Sequence, residues 1–369
     1  MTEQMATIND YYPESVTHPS EFLIESLEEK NIGAKEFAIK TGKPEKTITA
    51  VLKGESSITP DMAVLFEQVL KIPAHFWNEA QRNYDEYEAR VNFQKNIEQC
   101  KEWARNFPYA KMVKYGWVKK TRKAEEKVIE LFKFFEVASQ KGFEDYYYNQ
   151  RTRVAFRISL KNQENATAIA AWLRRGELQA DQIRTPEFNK NLFKKKLYEI
   201  KALMANQPKD FFEELHNICK SAGVKVVHTP CLPKAPIHGS TRWIKDTPLI
   251  QLSGRYKRND IFWFTFFHEV GHILLHGKKY ISIENIDVDG ENKEFEKEAD
   301  EFASDWILSK KEEDEILNFN PLTYKDIINF AKKFGTHPAC IIGRFQHERR
   351  IPYGTGNELF EPINFETQS

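Results

Sequence analysis

The 369-residue chain has four cysteines, no uninterrupted apolar run of eighteen residues and no net charge. Each shortage closes a class. Cys100, Cys219, Cys231 and Cys340 show no paired spacing, which excludes a disulfide framework and predicts reduced thiols in the cytoplasm. Without a long apolar run there is no candidate membrane helix, and no cationic leader precedes an apolar segment, so no secretory signal is expected. No internal repeat or low-complexity tract is present. At 41% hydrophobic residues the chain can bury sizeable cores, and its length predicts two or three domains.

The neutral total hides segregated charge. Residues 105–123 hold seven Lys/Arg and no acidic residue, interleaved with Phe107, Tyr109, Tyr115 and Trp117. Basic residues between aromatics grip nucleic acid by charge and stacking, and a solvated basic face is the plainer alternative. Residues 281–315 hold fourteen Asp/Glu against four Lys, net −10. Such a region attracts metal or a basic peptide, or repels the protein's own DNA-facing half.

The most informative motif is His268-Glu269-Val270-Gly271-His272. Residues four apart share a helix face, so two neutral imidazoles can hold one zinc while Glu269 leans toward the water on that metal. Asn259 and Asp260 can cap the helix, Ile261 to His276 fill it, and Gly277 stands at a natural stop. Phe264, Phe267, Val270, Leu274 and Leu275 surround the polar stripe with apolar bulk, as burial requires. Gly271 costs roughly 1 kcal/mol inside a helix, so something is expected to pack close to the backbone there.

A catalytic zinc needs a third protein ligand and leaves the fourth position to water. His276 lies about 6 Å further along the axis from His272, too far to join the pair. The third ligand is therefore expected from the helix Asn292 to Ser309, where Phe295, Ala299, Phe302, Ala303, Trp306 and Ile307 recur at helical spacing. On its wheel Glu298 and Asp300 border the apolar stripe on opposite sides and Glu296 falls inside it. Geometry alone admits all three.

His268-Glu-Val-Gly-His272-Ile-Leu-Leu-His276, followed by Glu298-Ala-Asp-Glu-Phe-Ala303, resembles the ImmA/IrrE family of bacterial metallopeptidases. Trp172-Leu-Arg-Arg-Gly-Glu177, Pro236-Ile-His-Gly-Ser-Thr-Arg-Trp243 and Asp260-Ile-Phe-Trp-Phe264 extend the likeness over residues 165–350. The resemblance implies Zn2+ held by His268, His272 and Glu298, with Glu269 as catalytic general base. Asp300 replaces the family's usual Asn, a departure that bears on hydrogen bonding behind the ligands. A zincin-like domain with a small sheet is expected. Gly223–His228 reads as a strand, and either 238–244 or 248–253 is the expected edge for an extended substrate. His337 and Tyr256 are candidate donors to a transition-state oxyanion, although a structural role suits each. His228, Cys231 and His238 read as turn or core residues before a second metal cluster.

The first hundred residues differ in kind. Residues 33–42 and 44–53 read as two short helices joined at a glycine, and Thr59-Pro60 opens a longer one. This is the helix-turn-helix layout, whose second helix can enter a major groove. The runs Ile58-Thr-Pro-Asp-Met-Ala63 and Ile72-Pro-Ala-His-Phe-Trp77 resemble HigA-type antidote proteins of the Cro/repressor class. Candidate DNA contacts are Lys43, Lys46, Thr47, Thr49 and Lys53. Glu45 and Ala50 depart from a reading helix, and the net +3 of residues 33–54 is a weak footprint.

The expected architecture is α+β and mostly helical. It comprises a helix-turn-helix domain (15–90), a helical connector (91–164) with Phe/Tyr clusters at 132–135 and 143–148, a metallopeptidase domain (165–350) and a tail (351–369). Two functions compete. One is a cytoplasmic zinc endopeptidase on a DNA-binding, homodimeric head, a transcriptional or toxin–antitoxin regulator that cuts a regulatory protein substrate. The other is a non-catalytic antitoxin whose zinc domain binds a partner or stabilises the fold. Glu269 favours the enzyme, because zinc binding alone does not need that carboxylate.

Overall fold

A computed structural model describes residues 15–147, 165–233, 235–279, 282–283, 293–319 and 322–365. The chain divides into two compact units, Met1–Gln99 and Cys100–Ser369.

The first unit is all helical: α1 (Pro19–Glu29), α2 (Ala34–Thr41), α3 (Glu45–Leu52), α4 (Pro60–Leu70) and α5 (Ala74–Gln99). Local chemistry sets the starts. The His18 imidazole accepts from the Ser20 amide, the Thr59 hydroxyl accepts from the Met62 amide, and Pro19 and Pro60 occupy first turns where no amide partner is needed. Leu23, Phe37, Ile48, Val51, Phe66 and Trp77 close the core between them. The pair α2–α3 forms the helix-turn-helix. The expected boundary at residue 90 falls inside α5, which runs unbroken to Gln99.

The second unit opens with α6 (Lys101–Arg105), α7 (Tyr109–Lys114), α8 (Ala124–Phe135) and α9 (Gln140–Tyr147). Trp103, Phe107, Phe135, Phe143 and Tyr147 meet edge to face in a core of their own, so residues 100–147 of the expected connector belong to this unit, while 91–99 belong to the first. Residues 148–164 of that connector lie outside the described residues. Next come α10 (Ala166–Asp181), α11 (Lys190–Asn206) and α12 (Phe211–Ser221).

Four strands follow: β1 (Lys225–His228), β2 (Gly239–Ile244), β3 (Thr247–Leu252) and the short β4 (Ser282–Ile283), arranged β1-β3-β2-β4. β3 pairs parallel with β1 and antiparallel with β2. α10 is tied to this sheet by its Trp172-to-Glu177 motif. Buried Glu177 takes ion pairs from Arg174 and Arg242, and the Gln251 amide donates to the Trp172 carbonyl at 2.7 Å.

Helix α13 (Asn259–Gly271) carries Trp263, Phe266, Phe267 and Val270 fully buried. Each such burial contributes roughly 1.5–3 kcal/mol. A helix apolar on nearly every side is a central one. Around it stand α14 (Lys293–Ile307), α15 (Lys310–Leu317), α16 (Tyr324–Phe334) and α17 (Pro338–His347). None of the described helices is long and apolar enough to cross a membrane.

Candidate metal centre

His268 stands in the last turn of α13, and His272 opens a π-helical turn over His272–His276. The two imidazoles converge, with Nε2 atoms 2.9 Å apart and both rings buried. Partners behind each ring set that aim. Asp300 Oδ1 lies 2.8 Å from His268 Nδ1, and a proton on Nδ1 donates to it and leaves the Nε2 lone pair facing the site. His272 Nδ1 meets His276 Nδ1 at 3.0 Å, and His276 Nε2 meets Glu298 Oε2 at 2.9 Å. Protons on His272 Nδ1 and His276 Nε2 satisfy both contacts, and again leave a ligand-ready Nε2 on His272.

Burial, then the nearby His268 and His276, push the His272 pKa down to about 2. A neutral imidazole is the form a metal accepts. The carboxylate that completes the group is Glu296, 3.2 Å from His268 Nε2 and 3.6 Å from His272 Nε2. One donor atom from each of the three residues falls within 4.8 Å of the others. A tetrahedral zinc with ligand bonds near 2.1 Å separates its donors by roughly 3.4 Å, so the spacing fits. Two imidazoles and one carboxylate are also the donor chemistry of zinc rather than of calcium or magnesium.

Two glycines hold the walls close. A Cβ on Gly271 would stand 3.1 Å from Ala299 Cα, so α14 crosses α13 against its bare backbone and hangs Glu296 and Asp300 over His268. The expected close neighbour of Gly271 is thus α14. A Cβ on Gly239 would meet Glu269 Oε1 and Thr265 Cγ2, both at 2.6 Å. The Thr241 hydroxyl donates to the Glu269 carbonyl at 3.0 Å. Strand β2 therefore presses on a Glu269 that is itself fully buried. Beside the site a cleft of about 480 Å3 is lined by Phe264, Thr265 and Asp300, and extends to Tyr353.

Several expectations change. Glu298 is not brought to the imidazole pair; it reaches His276, and Glu296 stands where the third ligand was sought. Positions 296 and 300 lie one turn apart and face α13, whereas 298 points to another side. His337 caps α17, its Nδ1 accepting from the Ala339 amide at 3.2 Å, and burial lowers its pKa. Tyr256 is exposed, with its ring against His238 and under the Arg255 guanidinium. Neither makes a contact with the imidazole pair among the described residues.

His228 stacks on Phe365 at 3.6 Å, and burial lowers its pKa to about 4, while Cys231 Sγ donates to the Ile237 carbonyl. Among the described residues His228, Cys231 and His238 form no ligand cluster. The proposed edge at 248–253 is internal, because β3 has a partner on each side. Among the described residues β2 is paired on its outer side only at Ser240 and Thr241.

In the first unit Lys46 and Lys53 are exposed on α3, with Lys43, Thr47 and Thr49 half-buried, and the Thr49 hydroxyl donates to the Glu45 carbonyl. Phe107, Tyr109 and Trp117 are buried, which removes three of the four stacking platforms expected in the basic segment, while Tyr115 is half-buried. Residues 284–292 of the acidic region and 366–369 of the tail lie outside the described residues.

The fold defines a helix-turn-helix unit joined in one chain to a zincin-like domain. Residues 219–340 match the family model for the IrrE N-terminal-like domain, peptidase family M78. The helix-turn-helix part is similar to solved antidote proteins. One is from a plasmid maintenance system of Nostoc punctiforme, 28% identical over 23% of this chain and 92% of that one, with a TM-score of 0.22. Another is an addiction-module antidote of a HigA family from Coxiella burnetii, 32% identical over 22% and 91%, with a TM-score of 0.21. A third is a Pseudomonas aeruginosa protein in complex with its operator DNA, 26% identical over 24% and 93%, with a TM-score of 0.22. No curated protein matches the chain.

Proposed function

We propose that the protein is a zinc-dependent endopeptidase that cuts a regulatory protein and carries a DNA-binding head. One observation carries this reading: His268 Nε2, His272 Nε2 and a Glu296 oxygen converge within 4.8 Å, beside a buried carboxylate on the same helix. His268, His272 and Glu296 would hold the metal. When bound, zinc polarises a peptide carbonyl and makes water more acidic.

Glu269 is the general base. Its carboxylate takes a proton from water as the water oxygen attacks the scissile carbonyl carbon, and returns that proton to the amine nitrogen as the C–N bond breaks. The Gly239 backbone fixes where that carboxylate sits. Asp300 and the His276–Glu298 pair are positioning residues, holding the two imidazoles in the tautomer that leaves Nε2 free. The outer side of β2, paired among the described residues only at Ser240 and Thr241, suits an extended substrate held by backbone hydrogen bonds.

The head would read DNA as a dimer through α3, with Lys46 and Lys53 toward phosphates. The non-catalytic antitoxin reading leaves Glu269 without a task, and for that reason ranks second. The deciding experiment compares cellular proteins by mass spectrometry after expression of wild type and of Glu269→Gln. A protein cut only by the wild type is expected. A substrate cut equally fast by both would overturn the mechanism.

A further inference from the structure

The basic segment that the peptidase reading leaves aside folds into a site of its own within the second unit. Lys101, Arg105, Lys111, Arg122 and Lys127 line one open cleft of about 1080 Å3, and among the described residues no aspartate or glutamate lines it. Two of these cations are held by carboxylates outside the lining: Lys101 by Glu125 and Arg105 by Glu102. Lys111 and Lys127 rest over the rings of Tyr115 and Tyr109, at 4.8 and 5.6 Å from the centroids. Arg122 is exposed and forms no ion pair among the described residues. Among the described residues the five lining cations thus outnumber the two carboxylates that hold them.

The opening turn of α10 lines the same cleft. This sixteen-residue helix has no acidic residue in its first turn, and the Asn165 side chain makes no capping bond there. Its first amides therefore face the cleft with the sign that the side chains share. The cations carry the inference and the helix end adds to it.

We infer that this cleft binds phosphate groups, and that nucleic-acid backbone is the source that suits it. A single phosphate would leave most of the volume empty, while cations spread over α6, α7, α8 and the preceding loop match a ligand of repeated charge. Duplex DNA presents one negative charge per roughly 1.7 Å of its axis. The contact is blind to sequence, because Phe107, Tyr109 and Trp117 are buried and the half-buried Tyr115 ring is covered by Lys111. This inference stands apart from the peptidase reading.

The test uses the full chain in a Lys46→Ala/Lys53→Ala background, which silences the α3 contacts proposed above. Anisotropy of a labelled random-sequence duplex is measured against salt for Lys111→Gln/Arg122→Gln/Lys127→Gln, and for the charge-keeping Lys111→Arg/Arg122→Lys/Lys127→Arg. The neutral triple is expected to weaken binding at least about tenfold and to lower the log–log salt slope by about 2 to 3. The charge-keeping triple retains both. ATP is the probe for a free nucleotide: ATP binding lost in the neutral triple, with DNA binding unmoved, keeps the phosphate site and assigns it to nucleotides. Unchanged affinity and slope for DNA and ATP alike in the neutral triple would overturn the inference. So would equal loss in both triples, since charge would then not be the cause.

Discussion

Glu296 and Glu298 are two positions apart and meet different partners, because each residue turns a helix by about 100°. The first faces α13 with Asp300 and closes on both imidazoles; the second reaches past them to His276. Zinc content of purified variants separates the roles. Glu296→Ala is expected to lose most of the metal and Glu298→Ala to keep it, with Asp300→Asn weakening affinity by about tenfold in a chelator competition. Retention in Glu296→Ala together with loss in Glu298→Ala would restore the ligand set that the motif resemblance implies. The wheel already placed Glu296 inside the apolar stripe of its helix, which was a legible signal. The motif resemblance pointed elsewhere because it follows the order of residues and not the face they share.

Among the elements, α13, α14 and β2 make the site by closing on one another where Gly271 and Gly239 leave room. Gly239→Ala tests this directly. The added methyl would meet Glu269 and Thr265, each itself buried, so the carboxylate has to move. Zinc content should stay near wild type while cleavage of the substrate found above falls at least about tenfold. Full activity would show that Glu269 tolerates displacement and is not the base. The sequence quoted Gly239 inside a motif but gave no reason for it, since the reason is a carboxylate thirty positions away. Gly271 differed: a glycine inside an apolar helix announces a close neighbour, and only the identity of that neighbour was missing.

On the scale of the whole molecule, the two units have separate cores and the proposed metal joins elements of only one of them. Calorimetry of the zinc-loaded protein should show two transitions. A chelator should lower one by about 4 °C or more and leave the other in place, because a ligand stabilises only what it binds. A single transition, or an equal shift of both, would show that the units melt as one.

The sequence by itself determined what depends on neighbours along the chain. Proline and capping residues at helix starts, glycine stops, and histidines at a four-residue spacing on an apolar helix are all local, and they sufficed for the helix-turn-helix and for the imidazole pair. Tertiary structure decided what depends on residues far apart. It chose which of three nearby carboxylates completes the pair, made β3 internal to the sheet, and buried Phe107, Tyr109 and Trp117 of the basic segment. Spacing along a helix is fixed by the backbone, but what stands opposite a helix face is fixed by the packing of a second element. That packing is set by how side chains from both elements fill the space between them.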